Sequence, residues 1–176
     1  MDINLLEPTP MMSKSEYGTI QKLLNKEDLM LEYGAGSSTL YFSSFVKSYV
    51  SIEHDYIWYE KIKSHTQKNV NIYYGDCFYK NNNVHCDYED TDEKERWRPY
   101  FEMVSKIPKQ TYNKILIDGR ARVYCALEVY NYLNEDGLLF IHDYIGRKKY
   151  HSIVEKHYER IHSVDSLAVF KKRDYE

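Results

Sequence analysis

Cysteine is scarce in this chain of 176 residues: Cys77, Cys86 and Cys125 are an odd number at no framework spacing. That excludes a disulfide-stapled fold and predicts free thiols in a reducing compartment. Cys77, His85 and Cys86 fall close together, but there is no C-x-x-C pair and no fourth ligand, so a structural zinc is not expected. No apolar run approaches membrane-spanning length. Met1-Asp2-Ile3-Asn4 lacks the basic and apolar regions of a secretory leader. The expectation is a cytoplasmic protein with no membrane partner. A basic excess is also missing: 24 Lys and Arg stand against 27 Asp and Glu, a net charge of −3. This argues against a general nucleic-acid binder.

What is present is a regular alternation of strands and helices. Ser13 and Glu16 form a capping box opening a helix with Ile20, Leu23 and Leu24 on one stripe, up to about Asn25. Strands are expected at Asp28–Tyr33, Ser48–Ile52, Val70–Tyr74, Lys114–Ile117 and Leu138–Ile141. The helices between them are expected at Ser38–Phe45, Ile57–His65, Tyr100–Ser105 and Val123–Leu133, the last stopped by Glu135-Asp136-Gly137. A helix over Lys148–Tyr158 and a hairpin over Arg160–Lys171, turning near Val164-Asp165-Ser166, end the chain. Such alternation predicts a single α/β domain over residues 1–176, with a mostly parallel sheet, helices on both faces and antiparallel strands from the hairpin. Met1–Met12 reads as an extended arm at the acceptor pocket. Cys77–Tyr112 is irregular and long enough to be read as a functional segment over the active site. Its Asp87–Glu95 stretch reads as a solvated loop. The nineteen tyrosines are taken as compositional bias.

The segment Leu29–Leu40 runs from an apolar strand through Glu32 into the turn Gly34-Ala35-Gly36, then into Ser37-Ser38-Thr39 at a helix start. Glycines there allow a tight turn close to a ligand, and the hydroxyls can cap the helix. The third glycine of the dinucleotide fingerprint is missing, with Thr39 in its place. Glu32 is a poor neighbour for a pyrophosphate and a good one for an ammonium group. The reading therefore favours S-adenosylmethionine (SAM) over NAD. Each of the five strands ends in a carboxylate at or near its end: Glu32, Glu53, Asp76, Asp118 and Asp143. In open parallel sheets ligands bind beyond those ends. Glu53, about 20 residues past the glycine turn, suits ribose hydroxyls, and Asp76 beside Cys77 can reach an adenine amino group.

Four blocks carry a closer likeness: Glu32–Leu40, Ser51–Trp58 (Ser-x-Glu-His-Asp-x-x-Trp), Asp118–Arg122 (Asp-Gly-Arg-x-Arg) and His142–Tyr150 (His-Asp-Tyr-x-x-Arg-x-x-Tyr). On these the chain resembles class I SAM-dependent methyltransferases, and more narrowly a set of small members that includes glycan-modifying enzymes such as the glucuronoxylan O-methyltransferases. The resemblance covers nearly the whole chain. It implies a Rossmann-like methyltransferase fold and a cofactor site of Glu32, Gly34, Gly36, Ser38, Thr39, Glu53, His54, Asp76 and Asp118, with Cys77 beside Asp76. It does not fix the acceptor.

Methyl transfer to a hydroxyl needs donor and acceptor aligned and a proton removed. Asp118, His142 and Asp143 are the candidates for that chemistry. In one reading Asp118 and Asp143 hold Mg²⁺ or Mn²⁺, as in the catechol-type O-methyltransferases. Oxygen ligands suit such an ion, though Tyr144 stands where that family has an asparagine. In the other, His142 or Asp143 is a direct base, while Arg120, Arg122, Tyr144 and Arg147 meet the acceptor, the arginines suiting a uronate carboxylate. The acceptor is taken to be a sugar, glycan or other small hydroxylated molecule, with oligomeric state open and a homodimer among the options. The Asn/Asp-Pro-Pro-Tyr/Phe signature of many amino-group DNA methylases is absent. The competing readings are a silent SAM-fold binding subunit and an NAD-linked oxidoreductase.

Overall fold

The computed structural model describes residues 9–77 and 94–173. The element order is α1 (Lys14–Leu23), β1 (Leu29–Tyr33), α2 (Ser37–Phe42), β2 (Ser48–Glu53), α3 (Tyr56–Lys63), β3 (Val70–Tyr74), α4 (Lys94–Phe101), α5 (Met103–Lys106), β4 (Tyr112–Ile117), α6 (Arg122–Glu128), β5 (Leu133–Ile141), α7 (Lys148–Val154), β6 (Tyr158–Val164) and β7 (Leu167–Lys172). Short 3₁₀ turns follow α2 and α6. The expectations for Met1–Pro8, the Asn81–Asn83 run, His85, Cys86 and most of Asp87–Glu95 lie outside the described residues.

The strands form one seven-stranded sheet in the order β3-β2-β1-β4-β5-β7-β6. β1 to β5 are parallel, and β7 pairs antiparallel with both β5 and β6. The strand order reverses between β1 and β4, which opens a crevice above their carboxyl ends. Apolar residues alternate between two cores, one per face. Leu31, Ile115 and Leu139 point to the first. Met30, Leu116 and Phe140 point to the second, where Ile20 of α1 and Phe42 of α2 pack. Strands buried on both faces need such unbroken apolar runs. Among the described residues no helix is long and apolar enough to cross a membrane.

The capping box of α1 is complete: Glu16 N donates to Ser13 Oγ (3.2 Å) and Ser13 N to Glu16 Oε2 (2.7 Å). Several boundaries differ from expectation. The last helix stops at Val154, and Tyr158 opens β6 instead of ending that helix. The helix expected over Val123–Leu133 is α6 with a 3₁₀ turn after it, and Leu133 already belongs to β5. α4 already includes Lys94, and Pro99 lies inside it rather than before it. Its missing N–H removes a single helical bond, the one to the Glu95 carbonyl in the first turn. Glu135-Asp136-Gly137 does not stop a helix; it lies inside β5, where the pairing with β4 slips between Tyr112 and Lys114. A Cβ on Gly137 would stand 2.9 Å from the Asn134 carbonyl oxygen, a backbone atom that cannot easily move, so the slip favours a glycine. Glu135 there meets Lys172 of β7 at 2.7 Å.

Candidate active site

The crevice holds a cavity of about 930 Å³ bordered by the ends of β1, β2, β4 and β5. Its floor is the Gly34–Gly36 turn. Gly34 has φ 96°, and a Cβ there would stand 2.6 Å from Cα and N of Gly119. The loops after β1 and β4 therefore touch backbone to backbone, which only glycine allows. Gly119 in turn lies over Tyr100: its Cβ would fall 2.1 Å from the Tyr100 hydroxyl.

Glu53 closes the β2 side. It is 3% exposed, and its carboxylate accepts the backbone N–H groups of Ala35, His54 and Asp55, each at 2.8 Å. Asp55 caps α3 by accepting from Trp58 N at 2.9 Å, and Trp58 Nε1 donates to the Ala35 carbonyl. The Ser51–Trp58 block thus works as a clasp fastening α3 to the glycine turn. His54 also lines the cavity and packs edge-on against Trp97 and Tyr100.

The β4–β5 side carries the polar network. His142 Nδ1 is 2.7 Å from Asp118 Oδ1, and Nε2 is 3.4 Å from Glu16 Oε2. Burial opposes a charge on this ring. The hydrogen bond and charge of Asp118, with the charges of Asp143 and Glu16, outweigh it and raise the His142 proton affinity above the ordinary range. Asp143 follows in a left-handed conformation, φ 52°, which turns the chain sharply at the strand end. Arg122 is buried, with Nη2 3.1 Å from Asp143 Oδ2 and 3.7 Å from Asp118 Oδ1. Arg147 adds Nε to the Asp143 carbonyl at 2.8 Å and Nη2 to Asp143 Oδ2 at 3.4 Å.

Of the expected site residues, Gly34, Gly36, Ser38, Glu53, His54, Asp118, Arg120, His142 and Asp143 border the cavity. The others sit elsewhere. Glu32 is fully buried beneath the turn and accepts hydroxyls of Ser38 (2.5 Å), Thr39 (2.5 Å) and Ser51 (3.0 Å). Burial pushes its carboxyl up to about 7 against those bonds, with the Asp118 charge adding to the rise. It holds the start of α2 in place and does not reach the cavity; Thr39 is likewise interior. Asp76 is exposed and accepts from the Tyr74 hydroxyl at 3.0 Å, and Cys77 packs in the core. Tyr144, expected at the acceptor, is fully buried, stacked on His151 and donating to Glu155 at 3.2 Å. Arg122 and Arg147 are committed to Asp143. Arg120 alone of the three arginines borders the cavity, half-buried, with no side-chain hydrogen bond or ion pair among the described residues. Trp58 and Lys61 also line the cavity and were not among the expected site residues; Met11 joins them from the N-terminal arm, which the sequence reading places at the acceptor pocket.

Neither a family model nor a curated protein matches the sequence. Solved structures do. A methyltransferase-like protein from Silicibacter pomeroyi superposes with a TM-score of 0.75 at 23% identity, covering 94% of this chain and 90% of that one. A putative caffeoyl-CoA O-methyltransferase from Staphylococcus aureus gives 0.63 at 15%, covering 94% and 86%. A TehB-like SAM-dependent methyltransferase from Corynebacterium glutamicum gives 0.61 at 16%, covering 90% and 87%. The chain has a Rossmann-like methyltransferase fold.

In that methyltransferase fold the cavity lies where the strand order reverses, with Glu53 on one side of the glycine turn and Asp118 on the other. These groups fit SAM. Glu53 Oε2 accepts a single backbone bond and so retains acceptor capacity for a ribose hydroxyl. The turn leaves room for close approach of a ligand. A divalent cation fits less well. The Asp118 and Asp143 carboxylates already face the Arg122 guanidinium, and among the described residues no group of three or more His, Cys, Asp or Glu is placed to hold a metal.

Proposed function

We propose that this chain is a SAM-dependent methyltransferase that methylates oxygen on a sugar, glycan or other small hydroxylated acceptor. The observation that carries the reading is the pair of carboxylates, Glu53 and Asp118, flanking a glycine turn at the reversal of strand order. Glu53, Gly34, Gly36 and Ser38 would hold the cofactor. Bound there, SAM supplies a methyl group on a sulfonium, which leaves as a neutral thioether.

The chain's own part is alignment and proton removal. Asp118 Oδ1 is occupied by His142, while Oδ2 has no partner among the described residues. Oδ2 accepts a hydrogen bond from the acceptor hydroxyl and so aims an oxygen lone pair at the methyl carbon. As the new O–C bond forms and the S–C bond breaks, the hydroxyl proton passes to Oδ2. His142, held between Asp118 and Glu16, fixes the carboxylate's orientation. Arg120 offers a planar fork to an anionic group on the acceptor, such as a uronate carboxylate.

Calorimetric titration with SAM and S-adenosylhomocysteine, with NAD as the control, tests the cofactor. Saturable binding of both adenosyl ligands is expected. NAD binding in their place would overturn the reading. Transfer of labelled methyl to a panel of acidic and neutral sugars then tests the acceptor. Asp118→Asn should lower turnover by about 10²-fold or more while SAM affinity stays within a few-fold.

A further inference from the structure

We propose that Glu16, at the start of α1, is a positioning residue of the active site: it fixes the His142 ring and the loop bearing Asp143, and through His142 it orients Asp118. The inference rests on the methyltransferase reading and extends it to an element far from the four sequence blocks.

A capping glutamate needs one bond, back to the N-cap N–H, and normally stands in water. Glu16 is 3% exposed and uses both oxygens fully. Oε2 accepts from Ser13 N at 2.7 Å and faces His142 Nε2 at 3.4 Å. Oε1 accepts Ser166 N at 2.9 Å and Ser166 Oγ at 2.7 Å. Ser166 occupies the β6–β7 turn, and its carbonyl accepts Tyr144 N (2.8 Å) and Ile145 N (3.2 Å). Its hydroxyl oxygen also lies 3.4 Å from Asp143 Oδ1. One carboxylate therefore ties α1 to the His142 ring and, through Ser166, to the backbone just past Asp143. Burying a carboxylate costs free energy unless its partners compensate. A helix cap alone gives no reason for that burial; the bonds from Ser166 and the contact with His142 do. His142 then presents Nδ1 to Asp118 Oδ1, so the orientation of the free Asp118 Oδ2 depends on a residue of α1.

The test compares Glu16→Gln with Ser13→Ala in the full chain. Ser13→Ala removes a hydroxyl that accepts from Glu16 N (3.2 Å) and donates to Asp165 Oδ2 (2.5 Å), and so breaks the other half of the capping box and one tie to the hairpin turn without touching His142. Glu16→Gln should reduce kcat by about tenfold or more, with SAM dissociation constant and acceptor KM within about twofold. Ser13→Ala should lower the melting temperature at least as much and leave kcat unchanged. Unchanged kcat in Glu16→Gln, or an equal fall in Ser13→Ala, would overturn the proposal and leave Glu16 a cap. Nitrogen-15 spectra of histidine-labelled protein, assigned with His142→Gln, give a readout independent of turnover. Glu16→Gln should shift the His142 ring signals and Ser13→Ala should not. If the wild type transfers no methyl group, the methyltransferase reading fails, and the ring signals still decide whether Glu16 holds His142; unshifted signals in Glu16→Gln would sink that too.

Discussion

Replacing Glu32 with glutamine should remove a pH dependence from the stability of this protein. The carboxyl is fully buried, and burial raises it to about 7 from an ordinary 4.5 despite the hydroxyls of Ser38, Thr39 and Ser51. A carboxyl raised by folding holds its proton more tightly in the folded than in the unfolded chain. Its contribution is therefore most favourable at pH below 4.5, falls as pH rises through the window from 4.5 to 7, and levels off above it. At about 1.4 kcal/mol per tenfold change in proton affinity, the window is worth at most about 3.5 kcal/mol. For a chain of this size that corresponds to roughly 7–14 °C in melting temperature. Glutamine keeps the shape and stays neutral, and the three hydroxyls can rotate to serve its amide. Thermal melts of both proteins from pH 5 to pH 9 should show the variant gaining on the wild type by several degrees as pH rises. A difference that stays constant with pH would refute the reasoning, because it would mean the three hydroxyls hold Glu32 ionised throughout. SAM affinity should barely change at pH 8. A large loss of affinity in a well-folded variant would restore the ammonium role that the sequence suggested for Glu32.

Two further predictions concern the crevice walls. Gly34→Ala puts a Cβ against Gly119 at a φ of 96° and should cost at least about 2 kcal/mol, read as a melting temperature lower by about 5 °C together with loss of SAM binding in calorimetry. Arg120 and Arg122 should separate cleanly. Arg122→Met leaves Asp118 and Asp143 without their shared cation and should cost about 1–3 kcal/mol in urea unfolding. Arg120→Ala should leave stability within about 0.5 kcal/mol and raise KM for an acidic acceptor, but not for a neutral one; equal KM changes for both would remove its anion role.

The central strands were legible because each is an apolar run with a polar or glycine stop. Val70–Tyr74 matches the structure end to end, and Leu29–Tyr33 differs from expectation by one residue. The ring of acids at the strand ends was legible too, but their directions were not. Side chains alternate along a strand, so Glu32 points to the face covered by α2 while Asp118, just past its strand, borders the crevice. Tyr144 sat in a motif full of site residues, yet the left-handed turn at Asp143 sends it into the core against Phe170 of β7. Arg122 and Arg147 looked like substrate contacts, but both pair with Asp143, which is distant from Arg122 in sequence and four residues before Arg147. Glu135-Asp136-Gly137 has the local chemistry of a helix stop, and only the pairing with β4 on either side of it, at Leu133 and from Leu138 onward, and the Lys172 contact carry the strand across it. Glu16 was hidden most thoroughly. Its capping role is complete within four residues, so nothing local hinted at His142 or Ser166. A buried partner set is a property of the tertiary fold.

The insertion of β7 between β5 and β6 bears on how the chain becomes a protein. The β5 edge, with Phe140 and Ile141, is bare until β7, last of the strands in chain order, takes its place. A chain halted before Leu167 therefore presents an unpaired apolar edge, a template for association with other chains. The contacts that complete the site join α1 to the hairpin across 150 residues, and contacts so distant form late and slowly. Maturation of the crevice thus waits on the final strand, and truncations near the carboxyl end should produce aggregates rather than smaller active domains.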